Sequence, residues 1–127
     1  MTKIYYKSDA AGAAGRTMPF SAAVRAGNFV YVSGAVALDD RGFVVPGGIE
    51  QQTRRVFENL SASLALAGCD LDDVVKVNVW LDDERDFFPF NQVYAEYFPG
   101  NKPARSTVQS RLMMDAKVEI DLVAYKE

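Results

Sequence analysis

Two charged side chains sit in strand-forming surroundings near the C-terminus. Arg105 lies in N-K-P-A-R-S-T-V-Q (101–109) and Glu119 in K-V-E-I-D-L-V-A-Y (117–125). A guanidinium offers parallel N–H donors that grip a small carboxylate by two hydrogen bonds, and it is a poor base. A carboxylate beside a substrate held in this way can orient a water or pass a proton. The plainer alternative is structural, with Arg105 paired to Glu119 or Asp121 at a subunit contact, since ion pairs of that kind are common. If subunits bury Glu119, burial raises its pKa and a nearby arginine lowers it.

What the chain lacks narrows the chemistry further. Its 127 residues include no histidine and one cysteine, Cys69. That excludes a serine–histidine–aspartate arrangement, histidine-ligated zinc and histidine acid–base catalysis. Cys69 has no partner for a disulfide within the chain and reads as a small packed residue beside a helix end. The run Asp82-Asp83-Glu84-Arg85-Asp86 lacks the ligand pattern of a calcium loop and reads as a solvated turn and helix start; Asp70, Asp72 and Asp73 read the same way. Neither G-x-x-x-x-G-K nor G-x-G-x-x-G is present. No metal site is expected.

The formal net charge is −3, and the densest basic pair is Arg54-Arg55, which argues against a nucleic-acid partner. No run approaches the ~18–20 apolar residues of a membrane span, and the first residues lack the apolar core of a signal peptide. A cytoplasmic protein with no membrane partner is expected. At 49% hydrophobic and 24% charged residues the composition is globular, and the length suits one domain, 1–127.

The elements that position Arg105 and Glu119 follow from periodicity. Strands are expected at 21–25 and at F-V-Y-V-S-G (29–34), after a loop or mobile segment at 10–15. From 49 to 67 the apolar positions Ile49, Val56, Phe57, Leu60, Leu64 and Ala67, with Thr53, form one face of a helix about 28 Å long. In V-V-K-V-N-V-W-L (74–81) strict alternation puts Val75, Val77, Val79 and Leu81 on one face, and Val74, Lys76, Asn78 and Trp80 on the other. Asp86 is the expected N-cap of a second helix reaching Phe98, before Pro99-Gly100. Two strands follow, carrying Arg105 and Glu119.

This order predicts an α+β fold with two helices on one face of a mixed sheet. The other face would carry Trp80, Val74, Val123 and Tyr125 beside Lys76, Asn78 and Glu119. That is too apolar for a solvated sheet, so coverage by other subunits is expected. If Ala104 and Val108 face the helices, Arg105 lies on this uncovered face.

Several stretches together resemble one family. They are P-F-S-A-A-V (19–24), F-V-Y-V-S-G (29–34), I-E-Q-Q-T-R-R-V-F-E-N-L (49–60), L-D-D-V-V-K-V-N-V-W-L (71–81), F-N-Q-V-Y-A-E-Y-F (90–98), K-P-A-R-S-T-V (102–108) and V-E-I-D-L-V-A (118–124). In order and spacing they are similar to the Rid (reactive intermediate deaminase, YjgF-type) family from about Pro19 onward, with 1–18 outside the clear likeness. The resemblance implies a chorismate-mutase-like fold, a homotrimer with sites in the clefts between subunits, and cofactor-free hydrolysis of 2-imino acids to 2-keto acids and ammonia. It implies that Arg105 holds the substrate carboxylate and Glu119 is associated with the attacking water. It further implies that Asn91, Ser33, Gly34 and the Phe20 position line the cleft. The chemistry is consistent, because a protonated imine carbon is already electrophilic and orientation with one placed water suffices.

Three departures bear on substrate range. Phe20 stands where the family often has tyrosine, Ala35 where it often has glutamine, and the 109–115 loop is one residue short and lacks the usual L-P. Loss of the hydroxyl at Phe20 keeps open an alternative, a non-catalytic sensor of small carboxylic acids on the same fold.

Overall fold

The computed structural model describes residues 2–127. Six strands and two helices run in the order β1 (Lys3–Tyr6), β2 (Ala23–Ala26), β3 (Phe29–Ala35), α1 (Ile49–Leu66), β4 (Val74–Leu81), α2 (Phe87–Tyr97), β5 (Ala104–Gln109) and β6 (Val118–Tyr125). The sheet order is β1-β2-β3-β6-β4-β5. β4 and β5 pair in parallel, joined by α2, while the other neighbours are antiparallel. The mixed sheet and the one-sided helix layer are as expected. β1 was not foreseen, because K-I-Y-Y is short and its side chains are mostly exposed.

α1 buries Ile49, Thr53, Val56, Phe57, Leu60 and Leu64, the stripe read from the sequence. Gln52, expected off the stripe, is buried too. Its Oε1 accepts the Lys117 backbone N–H at 2.9 Å and so ties α1 to the entry of β6. The helix stops at Gly68, whose φ of 75° favours glycine. Arg25 and Lys126 donate to the carbonyls of Ala67 and Gly68 at 2.9 Å each, placing cations at the negative end of the helix. Cys69 is buried beside them, and burial raises its thiol pKa.

Between the helices the core is aromatic. Phe57 is fully buried, stacked on Tyr97 at 4.4 Å and edge-on to Tyr94 and Phe98. At the surface of this contact Arg54 donates to both carboxylate oxygens of Glu96, at 3.0 and 2.9 Å. Both side chains are about half exposed (46% and 55%), so water screens the pair. Arg54→Ala is therefore expected to leave the urea denaturation midpoint nearly unchanged despite the bidentate geometry.

Two local expectations fail. The register between β4 and β6 shifts between Val74 and Lys76, a bulge that reverses the alternation at this end of the strand. Val74 therefore lies in the core and Val75 is exposed, the reverse of the periodic reading. Asp86 makes no capping bond, because a 3-10 turn at Glu84–Asp86 runs into α2 and leaves Asp86 already helical (φ −83°, ψ 0°). Asp83 takes the capping role one turn earlier. Its carboxylate accepts the Arg85 backbone N–H and side chain, which hold its pKa at about 2. The 10–15 segment is a loop, pinned to the next turn by Ala14 N–H donating to the Gly42 carbonyl at 2.8 Å.

Candidate functional site

The face of the sheet away from the helices carries exposed aromatic and aliphatic groups: Tyr31, Tyr125 and Val108 are 51%, 39% and 50% accessible. Polar residues interrupt them. Asn78 donates to Asp121 at 2.9 Å, and Lys76 reaches Ser106 at 3.3 Å.

Glu119 sits on this face, in register with Trp80. It is half-buried and has no hydrogen-bond donor among the described residues. Burial, and then the Asp121 charge, raise its pKa above the ordinary carboxylate value. Gly34 creates its berth. The pairing of β3 with β6 shifts register between Val32 and Ala35, and Glu119 Oε2 occupies the space that a side chain at position 34 would take. Ser33 donates its hydroxyl to the Ser21 carbonyl at 2.6 Å, which ties down the loop that presents the exposed Phe20. Ser33, Gly34 and Glu119 thus belong to one neighbourhood, to which the chain is tied at Ser21, next to Phe20. Gly34→Ala would push against the flexible end of Glu119 rather than against backbone, so stability should change by under about 1 kcal/mol. A melting curve of Gly34→Ala beside wild type checks this.

Arg105 is elsewhere. Register pairs it with Val77, a core residue, so it faces the helices and not the bare face. The expectation for its facing is overturned, and within the chain neither Glu119 nor Asp121 pairs with it. Arg105 has no salt bridge or hydrogen bond among the described residues. Its guanidinium carbon lies 4.6, 5.5 and 5.8 Å from the ring centroids of Tyr94, Phe90 and Phe87. These rings take the place of water on one side of the cation. The alternation A-R-S-T-V-Q has two nearly equal phases, and the aromatic wall of α2 decides between them.

The α2 residues Phe87, Phe90, Asn91 and Tyr94 recur at spacings of three and four, which puts Asn91 on the same helix face as the rings around Arg105. Asn91 Oδ1, Tyr94 Oη and Thr107 Oγ1 are buried without hydrogen-bond partners. Burial raises the Tyr94 pKa, and the Arg105 charge opposes that without reaching hydrogen-bond geometry in these positions. The three rings and Thr107 were missed in the sequence. The F-x-x-F-N-x-x-Y spacing on a helix that precedes the arginine strand was the available signal.

The candidate residues therefore form two groups. Arg105 and Asn91 belong to the helix side at the edge strand, and Ser33, Gly34 and Glu119 to the opposite side, with Phe20 in the chain tied to Ser33. Between Arg105 and Glu119 lie two strand spacings and three residues along β4, about 14 Å between Cα positions, with side chains diverging. One substrate cannot touch both within one chain.

A family model described as Endoribonuclease L-PSP (Ribonuc_L-PSP) matches residues 11–126. A RutC family protein of Pyrococcus horikoshii is 50% identical over 111 residues, 86% of this chain and 88% of that protein. Mouse 2-iminobutanoate/2-iminopropanoate deaminase is 41% identical over 108 residues, 84% of this chain and 80% of its own. The crystal structure of E. coli TdcF with bound serine superposes with a TM-score of 0.86 at 32% identity, covering 99% of this chain and 100% of that one.

Proposed function

Since the chain belongs to the Ribonuc_L-PSP family, the YjgF or Rid family, whose fold of two helices on a mixed six-stranded sheet it shares, we propose that it hydrolyses 2-imino acids to 2-keto acids and ammonia in clefts between the subunits of a homotrimer. The observation that carries this reading is the pair of unsatisfied, opposite charges on opposite faces of one sheet. Arg105 has a rigid aromatic backing and no anion, and Glu119 has a raised pKa and no donor. A second copy covering the exposed face would bring its own Arg105 to the first copy's Glu119. Homo-oligomers commonly close by such cyclic contacts.

In this reading Arg105 holds the substrate carboxylate through two parallel N–H bonds, with Asn91 beside it. Glu119 of the other copy takes a proton from water as the oxygen bonds to the iminium carbon. Glu119 returns that proton to the carbinolamine nitrogen, and as the C–N bond breaks and ammonia leaves, the carboxylate takes the hydroxyl proton, giving the keto acid. A carboxylate with a raised pKa is a stronger base than an ordinary one, which suits proton abstraction near neutrality. Ser33, Gly34 and Phe20 shape the wall on the Glu119 side. No cofactor or metal enters this scheme. The net charge of −3 and the absence of a basic cluster support a small-molecule substrate over the RNA that the family description names. We read the protein as cytoplasmic; among the described residues no helix is long and apolar enough to cross a membrane.

The test generates 2-iminopropanoate or 2-iminobutanoate in situ with an amino-acid oxidase and follows its decay. Acceleration by the protein is expected. An unchanged decay rate, or RNA cleavage in its place, would overturn the reading.

A further inference from the structure

A groove of about 320 Å³ opens along the edge of the sheet, between the end of β5 and the start of α2. Leu81, Phe87, Phe88, Thr107 and Val108 line it. Two of these residues connect it to the Arg105 anchor. The Phe87 ring also backs the guanidinium, at 5.8 Å, and Thr107 is two residues beyond Arg105 on the same side of β5. Phe88 stands edge-on to Phe87, with centroids 5.4 Å apart and planes at 74°, and is 75% accessible. Glu84 is the one ionisable lining residue, and the Gln109 amide is engaged by the Asp82 carbonyl at 2.9 Å.

We infer that this groove receives the side chain of the acid whose carboxylate Arg105 holds, so that the protein selects substrates with large apolar or aromatic side chains. A methyl or ethyl group leaves most of such a volume to water, whereas a benzyl or isobutyl group displaces that water against two phenylalanine rings. No cation lines the groove, and Glu84 repels a second carboxylate, so acidic side chains are disfavoured. The inference rests on the deaminase reading for its anchor, but its binding arm is separable from turnover.

The experiment compares imines generated by an amino-acid oxidase from phenylalanine, leucine and alanine, with calorimetric binding of phenylpyruvate and pyruvate in parallel. The expected kcat/KM for the phenylalanine- and leucine-derived imines exceeds that for the alanine-derived one by roughly 10-fold or more, and Phe88→Ala brings the ratio toward unity. Phe88 is mostly exposed, so the variant should fold. Acceleration of all three imines without preference, or an unchanged ratio in Phe88→Ala, overturns the groove assignment and leaves the deaminase reading standing. If no imine is accelerated but phenylpyruvate binds at least ~10-fold more tightly than pyruvate, and Phe88→Ala removes that difference, the groove stands and the deaminase reading falls. Absence of both turnover and binding preference overturns both.

Discussion

Arg105→Ala is expected to lower kcat/KM for 2-iminobutanoate by roughly 10²–10⁴-fold. Two charge-assisted hydrogen bonds to the carboxylate contribute about 1.5–3 kcal/mol each, and 1.4 kcal/mol is about tenfold. Arg105→Lys should recover little of the loss. Lysine keeps the charge but offers no fork, and a flexible ammonium cannot lie flat against Phe87, Phe90 and Tyr94 together. The rings make a packing control possible. Arg105→Met fills the same channel with a flexible apolar side chain. It should match wild type in thermal melting within about 1 kcal/mol while being as inactive as the alanine variant. Wild-type turnover by Arg105→Met would remove Arg105 from the mechanism.

Glu119→Gln is expected to lower kcat by roughly 10²–10³-fold with little change in KM, since proton transfer by a placed side chain contributes about that much. Its pH profile is more diagnostic. Burial and Asp121 raise the Glu119 pKa within the chain, and the substrate carboxylate neutralises the Arg105 that the other copy brings up, so the acid limb of the kcat profile should lie above the ordinary glutamate value, with activity lost as pH falls through it. The stability effect runs the other way. The folded chain binds this proton more tightly than the unfolded chain. The stabilisation is therefore full below the unfolded pKa and is lost as pH rises through the folded one. Glutamine removes that loss. The variant should melt at or above the wild-type temperature at pH 7 and gain nothing at pH 3. A variant that loses activity and also melts lower at pH 7 would mark Glu119 as structural.

Much of this arrangement was legible in the residues. The α1 stripe from Ile49 to Leu64 and the β6 alternation that turns Val118, Ile120, Leu122 and Ala124 inward are strong periodic signals, and the structure follows both. The surplus of apolar groups on the second face was legible for the same reason. Failures occurred where a local rule met a tertiary one. One extra residue at Val75 reversed a clean alternation, since a bulge leaves no mark in residue types. Arg105 was placed on the bare face on the condition that Ala104 and Val108 face the helices, and residue types alone do not show what replaces water around a helix-facing arginine. Three aromatic rings from α2 substitute for that water, and they are distant from β5 in the reading frame although adjacent in space. Phe20, Ser33, Gly34 and Asn91 came from family likeness. The geometry adds why Gly34 has no side chain, which is that the Glu119 carboxylate occupies its place.

The central claim is that the site needs two copies, because Arg105 and Glu119 face apart within each. Subunit complementation tests it directly. Arg105→Met and Glu119→Gln chains are co-expressed with different tags, and the mixed assemblies are purified and assayed for 2-iminobutanoate hydrolysis. Every mixed cyclic trimer, whichever chain is in the majority, has one cleft of its three, or about one third, that pairs an intact Arg105 with an intact Glu119. The account predicts recovery of about one third of wild-type activity from two nearly inactive parents. Mixed assemblies no more active than their parents would contradict it.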